Sequence, residues 1–413
     1  MSKNKSVLRA VLFTILIDML GIGILIPVIP QLLTNPASPA YLLPAGWSVQ
    51  QGYVLLGILT AIFPLMQFIA TPILGELSDR FGRKPVLAIS LLGTSISYVL
   101  FAVGIITLNI PLLFIARAFD GITGGNIAVA QATLADITDA KDRAKTFGLM
   151  GAVFGLGFIL GPFIGGKLAD PHVYHGFGAA TPFWFAASLA LVNTVLVWWT
   201  LPETNLQKRH VTFHFARSIQ NIKKAWGIRQ LRSLFTTSFL FIAGFTFFTT
   251  FFAVFLVGKF GFTESGVGNY FAYVGIWIAI AQVLVTRFVG KYVSEIPILR
   301  FALVATGIAV FFQVVPTKAW VLYVIVPFFA IANGLVMANL NALISRSAKS
   351  DEQGEILGIN ASVQALAQAI PPVLAGYLAA STAFSMPIVV ASIIIVISGI
   401  AFIALVKKQP HLV

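Results

Sequence analysis

The sequence predicts an all-α integral membrane protein with twelve transmembrane helices in two six-helix pseudo-repeats. Three observations predict it. Of 413 residues, 58% are apolar and only 10% are charged, whereas charged residues make up about a quarter of an ordinary soluble domain. The apolar residues also form long unbroken runs, such as Val86 to Leu108 and Met386 to Val406. A spanning helix takes ~20 residues, while a barrel strand takes ~10 of alternating character. The runs therefore point to helices. Finally, residues 124–166 repeat as 334–376 at a constant offset of 210. Gly124 pairs with Gly334, Gly148 with Gly358, Pro162 with Pro372, Gly166 with Gly376, and Asp142 with Glu352.

The first span follows Lys3, Lys5 and Arg9 and runs to Leu33 with Asp18 inside it. It is too long for a signal-peptide core. The remaining spans are placed at 53–74, 86–107, 110–136, 146–168, 182–201, 232–257, 266–288, 298–315, 319–344, 356–380 and 384–406. With both termini in the cytoplasm, 23 of the 27 basic residues fall on the cytoplasmic side. Lys167, Lys259 and Lys318 fall outside, and Arg117 lies within the fourth span. That asymmetry follows the positive-inside rule and supports an even number of spans. It also explains the net charge of +13 as loop charge in a bilayer protein, with no nucleic-acid partner implied.

The organisation read from this is a bundle at 1–201, a cytoplasmic linker at 202–231 and a second bundle at 232–413. Two six-helix halves in the same orientation fit a transporter built from parallel repeats. Within the linker, Phe215, Ile219, Ile222 and Trp226 follow helical spacing among Arg217, Lys223 and Lys224. They predict a short amphipathic helix on the inner membrane surface.

Several function classes are excluded. There is no cysteine, so disulfides and thiolate chemistry are absent. His172, His175, His210, His214 and His411 all fall outside the spans. We therefore expect no metal centre and no cofactor. No Gly-x-x-x-x-Gly-Lys-Ser/Thr loop is present to hold a nucleotide, so transport energy has to come from an ion gradient. An integral-membrane enzyme would need buried histidines or paired acids that the C-terminal half lacks.

Ionisable groups at membrane depth are costly and mark functional sites. At that depth the chain has Asp18, Arg117 and Asp120, whereas Asp136 and Arg287 lie near cytoplasmic span ends and can reach water. Arg117 and Asp120 are three residues apart and share a helix face. They can be a neutralised structural pair, a proton site tuned by the arginine, or an anchor for an anionic group. Asp18 has no basic residue one turn away and is the candidate proton carrier. The C-terminal spans carry no acid; Glu264, Glu295, Asp351, Glu352 and Glu355 are read as loop residues. They carry amides instead: Gln364 and Gln368 on one face, Asn333, Asn339 and Asn341 in the tenth span, and Gln282 and Gln313. These suit hydrogen bonds to a substrate or between helices. Phe241, Phe245, Phe248 and Phe252 form a stripe on the seventh span, more often packing than pocket.

Two motifs add gating features. The loop Gly75-Glu76-Leu77-Ser78-Asp79-Arg80-Phe81-Gly82-Arg83-Lys84 offers close helix approach at Gly75 and a tight turn at Gly82. Asp79 can accept from Arg80 or Arg83 as a breakable latch. In the fifth span, Gly157, Gly161 and Gly165 recur every four residues beside Pro162. They form a smooth stripe that can bend, suited to a helix that rocks against the other half.

Together these residues resemble the major facilitator superfamily. The loop is similar to its G-x-L-x-D-R-x-G-R-(R/K) signature. The segment Arg117 to Gly121 with Gly124 and Gly125 resembles its fourth-helix signature. The fifth-span run resembles the antiporter signature, and Asp18 to Pro30 looks most like tetracycline-resistance-type drug:proton antiporters. The resemblance implies the major facilitator fold and a monomer in a bacterial inner membrane. It also implies that Asp18 couples protons, that Arg117 is tied to proton transfer, that Asp79, Arg80 and Arg83 latch the gating loop, and that Gly161, Pro162 and Gly165 form the hinge. Tetracycline exporters of this kind carry a histidine in the eighth span and an acid in the ninth; this chain has neither. Asp120 is an extra acid that can take a coupling role.

The reading is a proton-coupled exporter of small amphipathic organic molecules. Gln364, Gln368, Asn333 and Phe245 are the candidate substrate contacts. The rival is a transporter of a polar metabolite, such as a sugar or siderophore.

Overall fold

A computed structural model describes residues 2–138, 143–205, 217–228, 231–347 and 353–406. Its regular structure is helical throughout the described residues. In chain order the helices are α1 (Ser2–Leu33), α2 (Val49–Phe81), α3 (Arg83–Ile106), α4 (Ile110–Thr123), α5 (Asn126–Ile137), α6 (Arg143–Ala169), α7 (Thr181–Thr200) and α8 (Arg217–Gly227). They continue as α9 (Arg232–Phe260), α10 (Glu264–Ile280), α11 (Thr286–Val289), α12 (Glu295–Phe312), α13 (Ala319–Arg346), α14 (Gln353–Ser381) and α15 (Met386–Val406).

Among the described residues, 11 helical stretches are long and apolar enough to cross a membrane. The twelfth expected span, 266–288, is there in pieces. α10 passes through a π-turn at Ala281–Val285 into α11. Thr286 Oγ1 donates back to the Ala281 carbonyl at 3.1 Å, across the widened turn. The span expected at 110–136 is likewise two helices, α4 and α5, meeting at Gly124 and Gly125. There the Gly124 carbonyl accepts from Gln67 Nε2 of α2 at 2.8 Å.

Three acids read as loop residues are helical. Glu264 and Glu295 open α10 and α12, where a carboxylate complements the helix dipole, and Glu355 lies within α14. Asp351, Glu352 and Asp142 lie outside the described residues. So does Phe215 of the linker, but the short helix foreseen there is α8. Its Asn221 Nδ2 donates to Ser362 Oγ at 3.1 Å, and Trp226 meets Phe239 edge-on at 6.2 Å. Ser218 and Ala225 are buried while Ile219 stays exposed.

The chain forms two compact units. The first holds Met1–Trp47, Ile62–Arg217 and Thr263–Ala272. In it α1 packs on α6 and α7, and α3 packs on α4, α5 and α7. Its apolar core gathers Val11 and Ile15 of α1, Leu87 and Leu91 of α3, Val129 and Leu134 of α5 and Val197 of α7. The second unit holds Ser48–Ala61, Ser218–Phe262 and Tyr273–Val413. There α9 packs on α14 and α15, and α12 packs on α13 and α15. Small residues set these distances, as expected where lipid tails compete equally for apolar surface. A Cβ on Gly244 would fall 2.7 Å from Ile395, and one on Gly307 would fall 2.6 Å from Val396.

Candidate functional site

In the first unit, α1, α3, α4 and α5 bring ionisable and polar side chains together in the protein interior. Asp18, Arg117 and Asp120 are 7%, 6% and 4% exposed, so all three are shielded from bulk solvent. Arg117 Nη1 donates to Asp120 Oδ2 at 2.8 Å. Ser97 Oγ of α3 donates to Asp120 Oδ1 at 3.3 Å. The Arg117 guanidinium also lies over the Phe63 ring, 4.5 Å from its centroid, where a cation is attracted by the ring face. The i,i+3 spacing read from the sequence thus closes as a buried ion pair.

Asp18 is not in that pair. Its Oδ2 is buried without a hydrogen-bond partner, as is Arg117 Nε. Asn126, the first residue of α5, is fully buried and its side-chain amide adjoins the Asp18 carboxyl. Asp120 is the other charged group facing Asp18. The cluster therefore holds two carboxyls and one guanidinium with spare hydrogen-bonding capacity.

Tyr98 and Asn126 were not foreseen. The Tyr98 hydroxyl from α3 occupies the notch that Gly21 leaves on α1, one turn beyond Asp18. The available signal was Gly21 itself, a glycine placed one turn from a buried acid. Asn126 could be placed only once the helix break at Gly124 and Gly125 was known, because that break sets which face α5 presents.

The gating-loop residues join α2 to α3. Arg83 Nη1 pairs with Asp79 Oδ1 at 2.7 Å, and Arg83 Nε pairs with Asp136 Oδ2 of α5 at 3.1 Å. Arg80 stacks over Phe81 at 5.1 Å. Gly82 sits at φ 112, a conformation that suits glycine. Gly75 is different from expectation: among the described residues a Cβ there would meet nothing within 4 Å. Glu203, beyond α7, was missed by sequence reasoning. Its carboxylate accepts from the backbone amides of Arg83 and Lys84 at 2.8 and 3.2 Å. Nearby, Asn205 Nδ2 donates to the Asp79 carbonyl at 2.9 Å.

In α6 the glycine stripe faces α1 of the same unit. A Cβ on Gly161 would fall 2.8 Å from Gly23 Cα, and one on Gly165 would fall 2.7 Å from the Ile24 carbonyl. Gly157 lies against Met19. Pro162 touches α1 through its ring at Gly23, while its carbonyl faces Gly268 of α10. The stripe glycines Gly157, Gly161 and Gly165 thus meet α1, while Pro162 of the same helix also faces α10.

In the second unit, the phenylalanine stripe is largely core. Phe241, Phe248 and Phe252 are buried. Phe245 is half-buried, between Phe241 at 6.3 Å and Phe248 at 6.2 Å. Phe248 also meets Phe329 of α13 at 5.2 Å. Asn333, one turn beyond Phe329, is buried with Oδ1 unbonded. Asn339 spends its amide on the Leu335 carbonyl of its own helix at 2.7 Å. Gln364 is half-buried and Gln368 is exposed on α14. Asn360, not singled out from sequence, accepts from Ser238 at 3.1 Å. Among the described residues no cluster of His, Asp or Glu is arranged to hold a metal ion.

Residues 11–372 match the family model of the Major Facilitator Superfamily. The chain belongs to that superfamily. It is 32% identical over 382 residues to the class C tetracycline resistance protein of Escherichia coli, covering 92% of this chain and 91% of the relative. It is 31% identical over 386 residues to multidrug resistance protein 1 of Bacillus subtilis (strain 168), covering 92% and 91%. Among solved structures, the human organic anion transporter MFSD10 matches with a TM-score of 0.72 at 22% identity, covering 97% of this chain and 99% of that one. This major facilitator chain is accordingly a multi-pass membrane protein of a transporter family, not an enzyme family.

Proposed function

We propose that this transporter exports small amphipathic organic molecules, drugs among them, in exchange for protons by alternating access. The observation that carries the reading is the buried cluster of Asp18, Arg117 and Asp120 in the first unit. With all three groups charged the cluster is net negative by one. One proton makes it neutral. A net buried charge is costly, so the cluster favours holding either a proton or the positive end of a substrate. Asp18 Oδ2 is free to take the proton, because that oxygen has no hydrogen-bond partner of its own. Proton and substrate then exclude each other reciprocally, which is what exchange requires.

The relatives' names support drugs over a sugar or siderophore. The gating loop of Gly75, Asp79, Arg80, Gly82 and Arg83 serves as latch, and Gly157, Gly161, Pro162 and Gly165 as the hinge of α6. Asn333, Gln364, Gln368 and Phe245 supply substrate contacts. The working halves are 1–201 and 232–413, joined by 202–231. The transporter is a monomer in a bacterial inner membrane with both termini cytoplasmic, as the basic residues favour.

The test is proton movement in everted vesicles followed with a pH-sensitive dye. Adding hydrophobic drugs should restore the dye signal, and Asp18→Asn should abolish that recovery. Recovery with a sugar or chelator alone would move the substrate to the polar class. Drug transport that ignores the proton gradient would refute the exchange mechanism.

A further inference from the structure

α12 and α13 enclose a groove of ≈ 560 Å³ lined almost wholly by apolar side chains. Phe301, Val304, Ala305 and Phe312 run along its α12 wall, with Phe328 on α13 and Arg300 at one end. Phe301 and Phe328 are 73% and 70% exposed, so in a spanning helix pair this face looks onto lipid. From Arg300 to Phe312 the α12 wall is ~18 Å long at ~1.5 Å per residue. That is more than one leaflet's share of a ~30 Å hydrocarbon core. The shape is long, narrow and apolar, as an acyl chain is.

Arg300 makes the groove more than a lipid-facing crease. Its Nε is buried without a hydrogen-bond partner. Among the described residues no carboxylate pairs with it: Glu295, on the turn before, is taken by Arg346 at 2.5 Å. A guanidinium at the cytoplasmic membrane edge is positioned to meet a lipid headgroup, and its planar fork matches phosphate oxygens. Phe288 and Tyr292, exposed and edge-on at 5.5 Å, lie at the turn leading into α12. Such aromatic side chains mark the headgroup level.

We propose that this groove binds one anionic phospholipid, with an acyl chain along the α12–α13 wall and its phosphate on Arg300. A zwitterionic headgroup carries its own cation and leaves the arginine charge uncancelled. On the orientation proposed above, the lipid belongs to the cytoplasmic leaflet.

Native mass spectrometry of the full chain in detergent tests this, with equal phosphatidylglycerol and phosphatidylcholine of identical acyl chains. One phosphatidylglycerol should be retained in about tenfold preference, the scale of one charge-assisted contact. Arg300→Gln should erase the preference, and Arg300→Lys should keep part of it. Ala305→Phe, which fills the groove and leaves Arg300 in place, should expel the lipid. Lys318→Gln, which removes a basic residue outside the groove's lining, should change nothing. Thermal unfolding in the same detergent checks that each variant is folded. If a variant does not fold, the wild-type competition and the lysine variant decide. Equal retention of the two lipids, retention after Arg300→Gln or Ala305→Phe, or displacement by inorganic phosphate would overturn the proposal. So would a dimer that Ala305→Phe dissociates, since the occupant would then be a second copy of the chain.

Discussion

Glu203 holds the start of α3 in place by accepting from the Arg83 amide at 2.8 Å. Its other oxygen accepts from the Lys84 amide at 3.2 Å. These are free amides of a helix N-terminus, where a carboxylate satisfies donors and complements the dipole. The same Arg83 spends its side chain on Asp79 and Asp136. Glu203 therefore positions the backbone of the residue that closes the latch. Glu203→Ala should cost about 1–2 kcal/mol, the scale of a lost N-cap with its charge. Glu203→Gln should cost less, because the amide oxygen can still accept. Thermal unfolding in detergent would read both, and a variant as stable as the parent would show that the cap is idle.

The Arg117–Asp120 pair carries a second prediction. Removing one member leaves the other charge buried, a loss of about 3–5 kcal/mol in such sites. Arg117→Gln and Asp120→Asn should each lower stability, and the double variant should recover much of it. Drug-driven proton movement should not return with that stability: the net charge stays at minus one, but the guanidinium and the second carboxyl beside Asp18 are gone. Full transport by the stable double variant would leave the pair a packing role only.

Tyr98 and Gly21 fit together as peg and notch, since any Cβ on residue 21 would overlap the Tyr98 hydroxyl. Gly21→Ala should therefore displace the tyrosine and lower stability by about 1–3 kcal/mol, as overpacking does. Tyr98→Phe removes the oxygen that clashes first. Combined with Gly21→Ala it should restore part of the loss, and the two changes should be non-additive because they touch. Strict additivity in thermal unfolding would separate the two residues.

Asp170 gives a pH dependence outside the membrane. Burial opposes its charge, but the His172 amide and ring and the Thr263 hydroxyl outweigh burial. The net effect holds its pKa below the usual carboxylate range. A depressed folded-state pKa adds stability above the unfolded value of about 3.9. That contribution is lost as pH falls below about 4. Asp170→Asn should thus lower the unfolding midpoint at neutral pH and flatten its decline on the acid side. A parent and variant that fall in parallel from pH 6 to 3, on the order of the window set by that value, would remove Asp170 from the account.

What was legible in the sequence was set by local chemistry. The spans showed because each must be apolar for about 20 residues. Arg117 and Asp120 showed because three residues of one helix fix their approach. The latch to Asp79 showed because Arg83 follows it by one turn. The Glu203 cap, the Tyr98 peg and the Asn126 neighbour of Asp18 did not show. Each depends on helices distant in the chain arriving at one place, which no local pattern encodes. The π-turn at Ala281–Val285 also escaped, since its residues read as an ordinary apolar run. Gly75 misled in the other direction. It has the residue type for close approach, yet among the described residues a Cβ there would meet nothing within 4 Å.

Gly57 and Gly268 give the last prediction, because the repeat places them alike. Gly57 of α2 faces the Pro372 carbonyl and Gly376 of α14, within the second unit. Gly268 of α10 faces the Pro162 carbonyl and Gly166 of α6, within the first. Pro162 and Gly166 are the offset partners of Pro372 and Gly376, and Gly57 and Gly268 lie 211 residues apart, so two contacts of the same kind recur in the two halves. In both, the atoms nearest an added Cβ are backbone, which cannot swing aside as a side chain can. Gly57→Ala and Gly268→Ala should therefore each force the helices apart and cost about 1–3 kcal/mol. Gly75→Ala and Gly151→Ala, both helical with open space at the Cβ position, should be neutral or gain about 0.5–1 kcal/mol from helix propensity. Thermal unfolding of the four variants side by side reads the contrast. Equal midpoints for all four would mean that the close seams yield more easily than their backbone contacts imply.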